Sequence, residues 1–272
     1  MGELQTGFGR HYEALEDLAA LLQESKLPQH NALVVGAGLD QLNVFRLLSD
    51  NIKAKQPLWL QKKYSWEYLE VAAVLERLGK PWTLTVVDAS PEVCEAVQRQ
   101  EEVVIESGYD GLQYAKMFLA ALGTNACVKE ELRVANGALE SSRILYSLAV
   151  CSNIYIPSAI RERIEIINGS AQNLDDLALP HERYDTIIAL NVFLHIHDPA
   201  GRIRAEDALS RRIEERGIIV TDVEFCRLPQ IRAPIVREYP DYGLEGELAI
   251  YRYVTYFMGK PQPLSLQVPL RV

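Results

Sequence analysis

Two short stretches of the sequence combine residue types that could hold a nucleotide-like ligand. The first is the turn Gly36-Ala37-Gly38, which follows the apolar run 32–35 and precedes apolar residues at helical spacing. Glycines let bare backbone approach a ligand, and a following helix points its free N–H groups the same way. The second is Asp88, at the end of the β-branched run 82–87. A carboxylate in that place can accept hydrogen bonds from ribose hydroxyls.

Strand and helix patterns around these stretches predict how they are positioned. A strand over 32–35 enters the glycine turn, and a helix is expected over 39–48. Asp88 ends a second strand, and Ser90 before Pro91 is suited to cap the next helix, which leaves Asp88 for a ligand. Because the carboxyl ends of parallel strands meet at one edge of a sheet, the turn and Asp88 are expected to face the same ligand.

The remaining pattern alternates strands with helices and predicts an α/β fold. A parallel sheet with helices on both faces is expected, preceded by a surface helix over 12–23. Apolar alternation near the carboxyl terminus predicts a closing antiparallel hairpin. The further strands are predicted over 163–167, 184–192 and 217–223, and the hairpin strands over 248–258 and 264–270.

Two segments interrupt the alternation. Residues at about 100–160 hold no convincing strand and show helical patterns, so a helical insertion is predicted there. Residues at about 224–246 contain three prolines and are too long for a simple connector, which predicts a lid loop at the carboxyl edge. No linker or internal repeat divides the chain, so residues 1–272 are expected to form a single domain.

Composition excludes several classes of function. The formal net charge of -9 disfavours nucleic acid and anionic membranes as partners. The four cysteines are scattered without a C-x-x-C pair or a histidine at ligand spacing, so neither a metal site nor a disulfide framework is predicted. No apolar run approaches the roughly 20 residues of a membrane helix, and the amino terminus lacks a signal-peptide pattern. A cytoplasmic location is expected.

Four motifs in order along the chain resemble those of class I S-adenosylmethionine-dependent methyltransferases. They are VVGAG after the first strand, VVDAS after the second, INGSAQNL after the third, and YDTIIALNVFLHIHDP across the fourth. The resemblance covers roughly residues 32–223. It implies a three-layer α/β sandwich with a mostly parallel Rossmann-like sheet, helices on both faces and a C-terminal antiparallel hairpin. It also implies S-adenosyl-L-methionine as the cofactor.

The resemblance further implies which residues bind this cofactor. The glycine turn cradles its methionine part, the second-strand acid and its neighbour hold the ribose, the third-strand loop flanks the adenine, and the fourth-strand end lines the methyl-transfer site. These residues are Gly36, Ala37, Gly38, Asp88, Ala89, Gly169, Ser170, Ala171, Asn191 and Val192. His195 is the first candidate for a catalytic base because imidazole titrates near neutral pH, and His197 and Asp198 follow.

Three positions depart from the family pattern. The family usually has an acid two residues before its first motif glycine, where this chain has Val34, and a third glycine in the turn, where this chain has Asp40. The acid that is common after the third strand is replaced by Ser170. All three departures from the family pattern therefore fall within the motifs that would bind the cofactor.

The function implied is methyl transfer to an oxygen or nitrogen atom of a small molecule. Three alternatives stay open. One is a non-catalytic cofactor-binding or interaction protein on the same fold. Another is a protein glutamate methyltransferase, since two segments are loosely similar to the chemotaxis receptor enzymes, although their Arg-Asn pair is Leu190-Asn191 here. The last is an NAD enzyme, whose glycine fingerprint has a small residue at the position of Gln41.

Overall fold

A seven-stranded sheet forms the centre of the part of the chain that the structure describes. The structure is a computed structural model, and it describes residues 12–41, 54, 62–107, 112–123, 129–130, 149–190, 192–221, 235–240 and 250–257. The strands in chain order are β1 His30–Val35, β2 Asp40–Gln41, β3 Lys63–Tyr64, β4 Trp82–Asp88, β5 Glu102–Ser107, β6 Lys129–Glu130, β7 Ala149–Tyr155, β8 Ile164–Asn168, β9 Tyr184–Ala189, β10 Ile213–Thr221, β11 Ile235–Pro240 and β12 Ile250–Phe257.

The strand order of the central sheet is β11-β12-β10-β9-β1-β4-β8. Strands β10, β9, β1, β4 and β8 are mutually parallel, whereas β12 runs antiparallel to both of its neighbours. This arrangement confirms the predicted mostly parallel α/β sheet with an antiparallel carboxyl-terminal pair. The antiparallel β12 distinguishes it from the 3-2-1-4-5-6 order of dinucleotide-binding folds.

Helices cover both faces of the sheet, as predicted. They are α1 Tyr12–Glu24, α2 Glu67–Arg77, α3 Pro91–Arg99, α4 Leu112–Ala121, α5 Ser158–Arg161 and α6 Pro199–Arg212, with 3₁₀ turns at Ala171–Asp176 and Phe193–His195. Alternate residues of a strand point to opposite faces. Ala32 and Val34 therefore pack with α1, α2 and α3, while Leu33 and Val35 pack with α6. None of the described helices combines the length and apolar character needed to cross a membrane.

The inserted segment at about 100–160 is not the all-helical insertion that was predicted. Within its described residues it holds α4 together with an antiparallel sheet in the order β5-β7-β6. Val103, Val104 and Ile105 of β5 are all buried, so the strand lacks the alternation of apolar and polar residues that marks a half-exposed strand. Its buried residues and those of α4 belong to the same core as α2.

The carboxyl-terminal pair uses a different partner strand from the one predicted. Strand β12 matches the predicted strand over 248–258, but its described neighbour is β11, which lies inside the predicted lid at 224–246. The sequence Ile-Val-Arg-Glu-Tyr-Pro of β11 alternates weakly and ends in proline, which concealed the strand. Residues 264–270 and the rest of the predicted lid lie outside the described residues.

The chain after the glycine turn also differs from the prediction. A helix was expected from residue 39, but Asp40 and Gln41 form β2, which pairs antiparallel with Tyr64 and Lys63 of β3. Residues 42–50, which were to form most of that helix, lie outside the described residues. The glycine turn is therefore followed by a strand pairing that connects it to residues just before α2.

Candidate cofactor site at the carboxyl edge of the sheet

The glycine turn has a backbone that suits glycine at both ends. Gly36 and Gly38 have φ angles of 82° and 55°, in the left-handed region that side chains disfavour. The N–H of Gly36 donates to Val87 O over 2.8 Å, which fixes the turn to the end of β4. A Cβ atom added to Gly36 would lie 2.5 Å from Val192 Cγ2. The first motif thus lies against the fourth.

Asp88 lies at the tip of β4 and faces the glycine turn. Only 5% of the residue is exposed. Its Oδ2 accepts a hydrogen bond from Gly38 N over 3.1 Å, and its Oδ1 accepts one from Ser90 N over 2.8 Å. A carboxylate offers about four lone-pair positions, so two such bonds leave acceptor capacity for a hydroxyl of a ligand. As predicted, Ser90 caps α3, because its hydroxyl accepts from Val93 N.

The loop after β8 lies beside Asp88. Gly169 N donates to Asp88 O over 2.9 Å. A Cβ atom on Gly169 would lie 2.4 Å from Leu177 Cδ1, which explains a glycine at this position by local packing. Ser170 accepts a hydrogen bond from Gln172 N, so it begins the 3₁₀ turn at Ala171–Asp176. The Ala171 side chain packs in the core, which leaves its backbone as the part that could meet a ligand.

The end of the fourth parallel strand supplies Val192 and His195. Val192 contacts Gly36, whereas Asn191 lies outside the described residues. His195 is exposed at the end of the short 3₁₀ turn, and its backbone N–H donates to Val192 O over 3.1 Å. Asp198, a following candidate for the base, caps α6 instead, because its carboxylate accepts from Ala200 N and Gly201 N. Ala89 is exposed next to Asp88.

Two buried polar residues that the sequence reasoning missed hold the glycine turn from another direction. The Ser65 hydroxyl donates to Ala37 O over 3.0 Å. The Gln100 side chain accepts from Ser65 N over 3.0 Å and donates to Ser65 O over 2.9 Å. Neither residue belongs to a motif, and neither follows a strand of the central sheet. No sequence signal marked them.

Two ionisable groups near the turn are kept neutral by burial. Burial, aided by the negative charge of Glu102, raises the pKa of Tyr64 well above its usual range, so its phenol stays protonated. Burial also raises the pKa of the Cys94 thiol, which donates to Asp88 O over 3.4 Å. Cys94 is therefore poorly suited to act as a nucleophile at neutral pH.

A cavity of about 470 Å³ lies beside the segment that holds the glycine turn. Its volume falls within the range of roughly 300 to 1,000 Å³ that is usual for small-molecule sites. Tyr64 and Gln100 belong to its wall, together with the basic residues Lys62, Lys63 and Arg99. Glu101 and Glu102 also line the cavity, which shares Tyr64 and Gln100 with the support of the glycine turn but none of the predicted cofactor contacts.

A second polar cluster lies at the opposite, amino edge of the sheet. Asp185 accepts hydrogen bonds from Asn31 N over 2.5 Å and from the Thr186 hydroxyl over 2.8 Å, and His30 Nδ1 lies 3.5 Å from its Oδ1. The Thr83 hydroxyl bonds to Asn31 Oδ1 over 3.0 Å. Across the described ranges, no group of three or more histidine, cysteine or acidic residues is arranged to hold a metal ion.

No protein-family model matches the sequence, and no curated protein matches it either. Solved structures do match. The N-methyltransferase NodS from Bradyrhizobium japonicum WM9 is 11% identical, with a TM-score of 0.41 and coverage of 92% of this chain and 97% of that chain. The glycopeptide N-methyltransferase MtfA, complexed with S-adenosyl-L-methionine, is 11% identical, with a TM-score of 0.35 and coverage of 93% and 68%.

A third structure, from Galdieria sulphuraria, is assigned as a sarcosine dimethylglycine methyltransferase. It is 13% identical to this chain, with a TM-score of 0.36, and the match covers 78% of this chain and 46% of that one. This chain therefore spans less than half of that structure's length.

Proposed function

We propose that the protein binds S-adenosylmethionine at the carboxyl edge of the sheet and transfers its methyl group to an oxygen or nitrogen atom of a small molecule. The contact between Gly38 N and the buried carboxylate of Asp88 carries this proposal. It brings a left-handed glycine turn and an acceptor for ribose hydroxyls to one place, at the ends of adjacent parallel strands.

The described residues offer groups whose chemistry suits this cofactor. The turn presents backbone without side chains at Gly36 and Gly38, next to the carboxylate of Asp88, while Val192 fills the space where a side chain on Gly36 would lie. The free acceptor positions of Asp88 suit a ribose diol. In the proposal, Gly36, Ala37 and Gly38 hold the amino-acid part of the cofactor, and Gly169, Ser170 and Ala171 lie beside its base. Ala89, Asn191 and Val192 complete the contacts that the motifs imply.

The chemistry asks little of dedicated catalytic groups. When bound, S-adenosylmethionine supplies a methyl group on a positively charged sulfur. Gly36, Ala37, Gly38 and Asp88 would hold the cofactor so that a lone pair of the acceptor could align with this methyl group, and the proton that the acceptor loses would pass to a nearby base or to solvent. Alignment of the two reactants can be worth roughly 7 to 11 kcal/mol, and supplying that alignment is the main task of the residues at this edge.

His195 is proposed as the group that takes the proton of the acceptor. Its side chain is exposed, on a 3₁₀ turn that is hydrogen-bonded to Val192. His195→Ala should lower kcat with a hydroxyl or ammonium acceptor while leaving the Kd for S-adenosylmethionine unchanged. His197→Ala is measured beside it as the next candidate, because His197 is also exposed and lies two residues away. Equal kcat values for His195→Ala and the wild-type protein would show that His195 is not the base.

A small molecule is favoured as the acceptor over a protein glutamate. The segments that are loosely similar to the chemotaxis receptor enzymes lack the Arg-Asn pair of those enzymes, because Leu190-Asn191 stands in its place. The cysteines have no paired spacing, which agrees with a protein that functions in a reducing compartment such as the cytoplasm.

A non-catalytic cofactor-binding protein is the second candidate. It is favoured by Val34 and Asp40, which stand where the family has an acid and a glycine. Asp40 also belongs to a strand pairing and not to the start of a helix. Turnover separates the two candidates. Binding of S-adenosylmethionine with no methylated product across a broad panel of acceptors would favour the second.

Calorimetric titration tests the binding step directly. S-adenosylmethionine and its demethylated product should bind with heat and raise the melting temperature, since a specific ligand stabilises the folded state by RT ln(1 + [L]/Kd). NADH serves as the comparison ligand. Binding of NADH without binding of either sulfur compound would contradict the proposal and revive the dinucleotide alternative.

A further inference from the structure

Helix α3 connects two parts of the proposed cofactor site through its two ends. At its amino end, the Ser90 cap donates its N–H to Asp88 Oδ1 over 2.8 Å, and Asp88 in turn accepts from Gly38 N. At its carboxyl end stands Gln100, of which only 7% is exposed. The Gln100 amide forms a pair of hydrogen bonds with the backbone N–H and C=O of Ser65.

Ser65 is hydrogen-bonded both to Gln100 and to the glycine turn. The residue is fully buried, and its hydroxyl donates to Ala37 O over 3.0 Å. Ala37 lies between the two left-handed glycines, and its carbonyl shares one peptide plane with the N–H of Gly38, so the bond from Ser65 fixes the plane whose N–H donates to Asp88. The pairing of Tyr64 with Asp40 fixes the same two segments next to this bond.

We propose that Gln100 and Ser65 are positioning residues that set the affinity for S-adenosylmethionine by fixing the backbone of the glycine turn. The proposal rests on the proposed function, since it concerns the same site. Both residues act through Ala37 and not through contact with the ligand. Removing either of them leaves buried polar groups without their partners, and the turn is then free to adopt other conformations.

Two substitutions test the connection. Ser65→Ala removes the bond to Ala37, and Gln100→Leu removes the pair of bonds to Ser65. Each should raise the Kd for S-adenosylmethionine about tenfold, measured by calorimetry well below the melting temperature. At saturating cofactor, kcat should stay close to the wild-type value while KM for the cofactor rises. Because both residues belong to one chain of bonds, the double variant should show less than the sum of the two effects.

A control variant separates positioning from a general loss of stability. Tyr184→Phe removes a buried hydrogen bond, from the Tyr184 hydroxyl to Thr85 Oγ1 over 3.1 Å, inside the sheet and away from the turn. It should lower the free energy of unfolding while leaving the Kd for S-adenosylmethionine unchanged. Comparing Tyr184→Phe with Ser65→Ala and Gln100→Leu at a similar loss of stability shows whether the Kd changes because the turn is altered or because the whole fold is less stable.

Gln100→Glu gives a readout that depends on pH. When protonated, the introduced carboxyl group has the same donor and acceptor as the amide and can pair with Ser65 N and Ser65 O. When ionised, it loses the donor and places a negative charge against Ser65 O. Affinity for S-adenosylmethionine should therefore be close to wild type at low pH and fall as pH rises through the pKa of the introduced group, with no parallel change in the wild-type protein.

The outcomes distinguish this inference from the proposed function. Wild-type binding of S-adenosylmethionine combined with an unchanged Kd in Ser65→Ala and Gln100→Leu would overturn the positioning role alone. Absence of any binding by the wild-type protein would overturn the proposed function, and the positioning role with it. A raised Kd in both variants, a normal Kd in Tyr184→Phe and the pH-dependent affinity of Gln100→Glu would support the inference.

Discussion

The two edges of the central sheet both carry buried polar residues, but they use them differently. At the amino edge, Asp185 bonds to Asn31 and Thr186, and Thr83 bonds to Asn31, so the strand ends are tied to one another. At the carboxyl edge, Asp88 binds backbone N–H groups of two separate loops. The first cluster joins neighbouring strands, whereas the second shapes loops.

This difference indicates which cluster is suited to a ligand. Loops with left-handed glycines, such as Gly36 and Gly38, present bare backbone that a strand end cannot present. In parallel α/β sheets, ligands bind outside the carboxyl ends of the strands. A buried aspartate at a sheet edge is therefore not by itself a sign of a binding site. The groups that it bonds to decide whether it supports the fold or a site.

Asp185→Ala should have the largest effect and should act on stability alone. Loss of the carboxylate leaves Asn31 N and the Thr186 hydroxyl without their partner, beside the buried His30. The free energy of unfolding should fall by about 3 kcal/mol, because buried donors lose a carboxylate acceptor. Urea denaturation measures this loss, and titration of the folded variant should give the wild-type Kd for S-adenosylmethionine. A weakened Kd would mean that the two edges are coupled.

Asp88→Ala should act mainly on affinity. It removes the acceptor for Gly38 N and Ser90 N together with the proposed ribose contact, so the Kd for S-adenosylmethionine should rise about 100-fold. Asp198→Ala is the matched control, because Asp198 also accepts from two backbone N–H groups near the site. It should cost about 1 kcal/mol of stability as a lost helix cap and leave the Kd unchanged. Equal effects of the two variants would refute the ligand role of Asp88.

Gly36→Ala should distort the turn by two separable causes. The residue has a φ of 82°, and its new Cβ would overlap Val192 Cγ2. Together these should cost about 2 kcal/mol of stability and weaken binding of S-adenosylmethionine. Adding Val192→Ala should relieve the overlap but not the backbone strain, so stability should recover in part. Full recovery in the double variant, measured by urea denaturation, would show that the φ angle is unimportant.

Cys94 offers the smallest and most local test of the carboxyl edge. Because burial raises its pKa, less thiolate is present at neutral pH in the folded protein than in the unfolded chain. Alkylation by iodoacetamide, followed at this residue by peptide mass spectrometry, should be slower in buffer than in urea. As pH rises, the rate in the folded protein should increase later than that in the unfolded chain. Equal rates at neutral pH would mean that this edge is open around Cys94.

The sequence was sufficient to predict the contacts that follow from parallel strand ends. The motifs placed Gly38 and Asp88 at the tips of two strands, and the structure joins them by a hydrogen bond although they are 50 residues apart. Ser65 and Gln100 could not be found in this way. Their partners lie 28 and 35 residues away, and these contacts depend on how α3 and β3 pack rather than on a repeating pattern.

Irregular additions to the sheet were also beyond local patterns. Val103, Val104 and Ile105 of strand β5 are all buried, so apolar and polar residues do not alternate there. A short continuous apolar run of this kind does not distinguish a strand from a buried helix. Strand β11 gains its pairing from β12, which begins ten residues after it ends. The partner decides the structure in both cases, and one-dimensional spacing carries no information about the partner.

The hydrogen bond between Gly38 and Asp88 has a consequence for recognition. Both groups belong to the fold, so the conformational entropy of the turn is lost when the chain folds and not when a nucleoside arrives. Association then needs no slow rearrangement of this loop. If the proposed function holds, discrimination between ligands should depend on how well each matches a rigid template, so the geometry of position 88 should influence selectivity as well as strength.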